Sequence, residues 1–182
     1  MSLNKPATAT TVTHHEENEA LVKVLGFWDK YSKPIIYIGS AIILAIAGYF
    51  IYKTFVKEPK ELKAAETIFP AQKLFDKMAS AGFNKDSVNI LLNGGVLEGQ
   101  PVTGLLKIQN SYSGTQAANL AAYMTGAAYL QIKEFDKAIK YLKEFNGHGA
   151  TQVESRAYVM LGHAYAEKKN SDEALNYYKK GA

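Results

Sequence analysis

Residues 121–142 read AAYMTGAAYLQIKEFDKAIKYL, and residues 157–178 read AYVMLGHAYAEKKNSDEALNYY. Laid one on the other, Gly126 falls on Gly162, Ala128 on Ala164, Tyr129 on Tyr165, Ala138 on Ala174 and Ile139 on Leu175, all at an offset of 36 residues. Tyr141 and Leu142 fall on Tyr177 and Tyr178, while Lys140 and Asn176 end the match on the exposed face. Apolar residues keep a helical period on both sides of a short polar turn, so each copy predicts a helix, a turn and a second helix. The spacing has a packing reason. Gly126 and Gly162 let the two helices of a unit approach closely, Ala138 and Ala174 receive that contact, and Tyr129 and Tyr165 fill the gap beside it.

This arrangement resembles the tetratricopeptide repeat, whose helix pairs recur with a period of about 34 residues. In the second copy Tyr158, Leu161, Gly162, Tyr165, Ala174 and Tyr178 match that pattern. The first copy departs from it at Ala122 and Thr125, where bulkier apolar residues are usual. The two extra residues between copies fall around GHGAT and should change the twist there. Residues 60–112 have helical periods without the signature and read as one degenerate repeat plus a linking helix. Helical repeats generally need about three units to bury their faces, which this reading just meets. The chain stops at Ala182 with the second helix of the last unit unfinished, so a continuation or a covering partner is expected.

Upstream, residues 35–52 read IIYIGSAIILAIAGYFIY, without a charge between Lys33 and Lys53. A helix of that length measures about 27 Å, close to the roughly 30 Å of a bilayer's hydrocarbon core. Trp28 and Tyr31 precede it, and Tyr49, Tyr52 and Phe55 close it, as interfacial aromatics do. A buried helix would need a core that the rest of the chain is too small to supply. The AIA at 45–47 has the pattern of a signal-peptidase site. A leader carrying four acids (Glu16, Glu17, Glu19 and Asp29) and the apolar YFIY after the cut favour a retained single-span anchor instead. Lysines flank both sides, so the positive-inside rule leaves orientation open.

Residues 1–15 are polar and Thr-rich, a disordered tail by composition. Leu21, Val24, Leu25, Trp28 and Tyr31 then keep a helical rhythm, predicting a short amphipathic helix within residues 1–33. The span covers 34–53, membrane-proximal helices cover 54–112, and the two repeats cover 113–182. Pro59 and Gly82 bracket a helix with Leu62, Ala65, Phe69, Leu74 and Met78 near one face, and Pro70 predicts a kink or break in it. NKDSVNILLNGG and QPVTGLLKIQNSYSG predict two more short helices, and no strand alternation appears. The fold expected is therefore all-α, a single transmembrane helix followed by a tetratricopeptide-like α-solenoid.

The formal charge of +4 is dispersed, unlike a nucleic-acid footprint. With no cysteine and only four histidines, thiolate sites are excluded and neither a metal nor another cofactor is expected. His163 and Glu167 lie one helical turn apart but lack a third ligand or nucleophile, and no phosphate loop follows a strand, so an enzyme is not predicted.

A short N-terminal segment, one span near residue 40 and a small repeat domain together resemble bacterial inner-membrane proteins of the YfgM type. The phrase SYSGTQAANLAAYMTGAAYLQIKEFDKAIKYL is similar to the core of their Bacteroidota versions. That resemblance implies a cytoplasmic N-terminus, a periplasmic repeat domain, and partners in the SecYEG translocon, a PpiD-like chaperone and exported polypeptides, beside membrane lipid. The alternative is a structural scaffold of a cell-envelope biogenesis assembly. Solenoids bind on the face formed by the first helix of each unit, which offers Tyr123, Ala127, Leu130, Gln131, Arg156, Val159, His163 and Glu167. Some relatives clamp chaperone C-termini with Lys and Asn, but Tyr123 and Ala127 stand at those positions here, so no clamp is expected. In the span, Ala41, Ala45 and Gly48 form a small-residue stripe, flanked by Ser40 and Ala47, on which another membrane helix could pack.

Overall fold

A computed structural model describes residues 13–182 and divides the chain into two compact units, Met1–Lys53 and Thr54–Ala182. The first is helix α1, Thr13–Tyr52. Of the expected tail, residues 1–12 lie outside the described residues, and Thr13 to His15 already belong to α1. The side chains of Leu21 and Val24 also lie outside the described residues, and those of Leu25, Trp28 and Tyr31 are exposed. The backbone stays helical through Pro34, which removes a single N–H from the ladder. No residue from 35 to 52 is buried, and the helix is long and apolar enough to cross a membrane.

A π-helical turn, Lys53–Lys57, lies at the junction, and α2 follows as Glu58–Ala81. Gly82, at φ 101°, ends it as the sequence reading expects, but Pro59 marks no start, because the turn before it is already helical and Lys57 is itself αR. Pro70 does not break it, because one missing donor leaves the rest of the ladder intact. The buried face is another matter. Ala64, Ile68, Ala71, Leu74 and Met78 face the core, whereas Leu62 and Phe69 are 65% and 66% exposed and Ala65 is exposed too. Two apolar stripes compete on this helix, and the one built on small residues is buried because α5 and α4 can approach it closely.

Helix α3, Lys85–Asn93, is capped by the Asn84 side chain, which accepts the Ser87 N–H at 2.8 Å. Then comes a feature the helical periods do not predict, an antiparallel hairpin of β1, Gly95–Leu97, and β2, Gln100–Val102, in register Gly95 to Val102 and Leu97 to Gln100. Its two turn residues, Glu98 and Gly99, both have positive φ, 51° and 77°, as a tight primed turn requires. Gly104 lets the chain return past the end of α3: a Cβ there would stand 2.3 Å from the Asn93 carbonyl carbon.

Four helices complete the domain after α4, Leu105–Ser111: α5, Gln116–Gln131, α6, Phe135–Glu144, α7, Thr151–Glu167, and α8, Ser171–Gly181. The larger apolar cluster joins α2, α3, α4 and α5, and Val102 of the hairpin completes it. A smaller one gathers Tyr123, Phe145 and Tyr158 around Leu142, Ala157 and Leu161. Helix α8 has 11 residues against 10 in its counterpart α6.

Candidate protein-binding site

The two repeat units share their internal geometry. A Cβ at Gly126 would lie 2.6 Å from Leu142 Cγ, and one at Gly162 would lie 2.5 Å from Tyr178 Cε1. The close approach is therefore received by Leu142 and Tyr178, while Ala138 and Ala174 are buried beside it. That corrects the expected pairing by one turn of the second helix. Tyr129 stacks on Tyr141 with centroids 5.6 Å apart, and Tyr165 stacks on Tyr177 at 5.4 Å. Even the turns agree. Lys133 and Lys169 both adopt left-handed φ, 63° and 60°, and the next N–H returns to the carbonyl of Tyr129 or Tyr165 at 2.9 Å in each case.

The eight residues expected on the binding face fall in different environments. Gln131, Arg156, His163 and Glu167 are exposed, and Val159 is half-buried. Tyr123 is half-buried with its ring 5.3 Å from Phe145; burial raises its hydroxyl pKa, and the nearby positive charge of Arg156 opposes that. Leu130 packs against the larger core. Ala127 is only 6% exposed and offers no surface, because α2, α4, α6 and α7 all pack on α5. The His163 ring meets its own unit, with Nδ1 3.1 Å from the Tyr178 hydroxyl.

A different surface is concave. A groove of about 1270 Å³ runs along the first half of α2, the start of α5 and the link between α6 and α7. Its lining is apolar at Ala65, Phe145 and Val153, with the nearly buried Ile68, Ala118 and Ala122 beside them, and polar at Lys57, Glu61, Gln72, Gln109, Glu144 and Asn146. None of the eight residues lines it. Backbone and side chains fix its walls. Asn119 donates from Nδ2 to the Asn146 carbonyl at 2.7 Å and accepts the Asn146 N–H at 2.9 Å. Asn146 Oδ1 in turn accepts the His148 N–H at 2.9 Å, holding a link in which His148 and Gly149 are left-handed. Across the groove, Glu61 accepts the Gln116 N–H at the start of α5, 2.7 Å away, and Lys60 donates to the Ser113 carbonyl at 2.7 Å. The extra residues around GHGAT were the one sequence signal near this wall. Apolar walls with a mixed polar rim suit a polypeptide segment that buries side chains and exchanges hydrogen bonds at its edges. Among the described residues, no group of three or more His, Asp or Glu is placed to hold a metal ion.

A family model described as tetratricopeptide repeat matches residues 155–182, the greater part of α7 and all of α8. No curated protein and no solved structure matches the chain. The chain is thus an all-α protein with a tetratricopeptide repeat and a candidate N-terminal span, and such repeats are protein-interaction modules.

Proposed function

We propose that this chain is a membrane-tethered interaction module whose groove between α2, α5 and the α6–α7 link holds a segment of a partner polypeptide. The observation that carries the reading is that groove, 1270 Å³ with apolar walls, in a chain that also bears an exposed apolar helix long enough to span a bilayer. Tethering raises the concentration of the groove near membrane partners without demanding tight binding. The finer placement rests on the resemblance of the order of parts to YfgM-type proteins. In it the repeat domain lies on the periplasmic side of the inner membrane and serves exported chains beside the SecYEG translocon and a PpiD-like chaperone. Ala41, Ala45 and Gly48 would pack against a membrane subunit of that machine, since small residues let helices approach in lipid.

Photo-crosslinkers placed at Ala65 and Gln72, in the groove, and at Gln131 and Glu167, outside it, test the reading in native membranes. The expected result is capture of translocon subunits and varied exported chains from the groove positions. Capture from Gln131 and Glu167 alone would move the site to the other face, and capture of one stoichiometric envelope protein would make the chain a scaffold instead. Replacing Ala41, Ala45 and Gly48 by Leu is expected to abolish co-purification of the membrane partner, and undiminished recovery would remove the span from the interface. Protease added to spheroplasts should digest the repeat domain; protection would refute the periplasmic placement.

A further inference from the structure

Asparagine followed by glycine occurs twice in the chain, at Asn93–Gly94 and at Asn146–Gly147. With no Cβ on the following residue, the glycine nitrogen meets the side-chain carbonyl carbon of the asparagine with little hindrance. Its attack there closes a succinimide ring and releases ammonia. Both asparagines are exposed, so access of water does not separate the two sites. Their hydrogen bonds do.

At the end of α3 both reacting groups are engaged. Gly94 donates its N–H to the Ile90 carbonyl at 2.8 Å, and Asn93 Nδ2, the leaving group, donates to Asn89 Oδ1 at 2.7 Å. Attack has to break the first bond and departure the second. In the link between α6 and α7 the arrangement is reversed. Among the described residues, neither the Gly147 N–H nor Asn146 Nδ2 has an acceptor. Asn146 Oδ1 instead accepts the His148 N–H at 2.9 Å, a donor aimed at the atom on which negative charge develops as the nitrogen adds. Asn119 meanwhile fixes the Asn146 backbone through its N–H and its carbonyl. Glu154 covers Gly147, where a Cβ would lie 2.7 Å from Glu154 Oε2. That crowding is reason enough for a glycine, and it also sets a carboxylate beside the residue whose nitrogen must lose a proton.

We propose that Asn146 is a self-modifying site, converted through a succinimide to aspartate and isoaspartate while Asn93 persists. The Gly147 nitrogen gives its proton to the Glu154 carboxylate and bonds to Asn146 Cγ, and the Cγ–Nδ2 bond breaks as Nδ2 takes a proton and leaves as ammonia. Water then opens the ring at either carbonyl, so the net change is amide and water to carboxylate and ammonium. In isoaspartate the chain leaves residue 146 through the former side-chain carbonyl. The carbonyl that Asn119 Nδ2 holds then belongs to a free carboxylate and no longer ties α5 to the path into α7. Either product adds a negative charge to the groove wall, next to Glu144. The reaction needs nothing from an occupant of the groove, so it stands or falls apart from the function proposed above.

The full-length chain in detergent micelles, incubated at neutral pH, digested and mapped by mass spectrometry, tests this. The peptide holding Asn146 is expected to exchange –NH2 for –OH and to become a substrate for an isoaspartate-specific methyltransferase, about tenfold or more faster than the peptide holding Asn93. In urea the two rates should converge, because the bonds that protect Asn93 are lost with α3. Glu154→Gln, which keeps the size of the side chain, should slow the reaction at Asn146 several-fold, with circular dichroism checking that the helices persist. An intact amide at Asn146, or Asn93 reacting as fast in the folded chain, would overturn the proposal. So would a gap between the sites that survives in urea, since neighbouring sequence and not the fold would then set it. An unchanged rate in Glu154→Gln would overturn the part given to that carboxylate.

Discussion

The α5–α6 unit and the α7–α8 unit have the same turn, the same tyrosine stack and the same glycine approach, yet they sit in opposite surroundings. Helix α5 buries ten of its sixteen residues, and α7 buries four of seventeen. The unit with the fainter sequence signature is the more enclosed one. Its departures follow from that enclosure: Ala122 is a small residue at a buried position on a helix packed by α2 and α4, and Thr125, fully buried, accepts a hydrogen bond from Gln109 Nε2 of α4 at 2.8 Å. A repeat signature records contacts within a unit, and a helix pressed from several sides bends its sequence to the neighbours as well.

Truncating the residue that faces each glycine should separate the two units most. Leu142 is buried where α6 meets α7, so Leu142→Ala is expected to cost about 3 kcal/mol through lost burial and the cavity left behind. Tyr178 is half-exposed at the equivalent position, and Tyr178→Ala should cost about 1 kcal/mol. Urea unfolding of the full chain in detergent, followed by circular dichroism, measures both. Equal losses would mean that the second unit is as enclosed as the first.

Filling the glycines is the next sharpest test. At Gly126 a Cβ would press on Leu142 Cγ and on the backbone nitrogen of Leu142, 3.0 Å away, so α6 itself must move. At Gly162 the obstruction is the ring of Tyr178, which is half-exposed and can swing aside. Gly126→Ala should therefore destabilise by about 2 kcal/mol, and Gly162→Ala by well under about 1 kcal/mol once the better helix propensity of alanine is counted. Unfolding midpoints that shift alike would show that the first helix pair yields as easily as the second.

The same contrast explains what could be read in advance. Caps are local, so Gly82 and Gly94 marked helix ends correctly, whereas Pro59 marked no start because the turn before it is already helical. The 36-residue offset found the helix pairs because the intra-unit contacts repeat with it. Burial on α2 could not be read so easily, since Leu62 and Phe69 outweigh Ala64 and Ala71 in any apolar pattern although the alanines are the residues fully buried. The hairpin escaped because three-residue strands are too short to show alternation. The groove escaped for a tertiary reason. Its walls come from residues far apart in sequence, Glu61 with Gln116 and Asn119 with Asn146, and none of them carries a motif.

The smallest expected effect lies where the units are most alike. Lys133 and Lys169 hold φ values of 63° and 60°, a conformation that crowds any Cβ and that glycine adopts freely. Both turns close by the same bond to the carbonyl of Tyr129 or Tyr165, so the backbone there is set by the turn and not by the lysine. Lys133→Gly and Lys169→Gly should each stabilise the fold by about 0.5–1 kcal/mol. Because the turns do not depend on how enclosed each unit is, the two gains should match and should add in the double variant. A gain at one site only would show that burial reaches the turn, and the likeness of the two units would end at their helices.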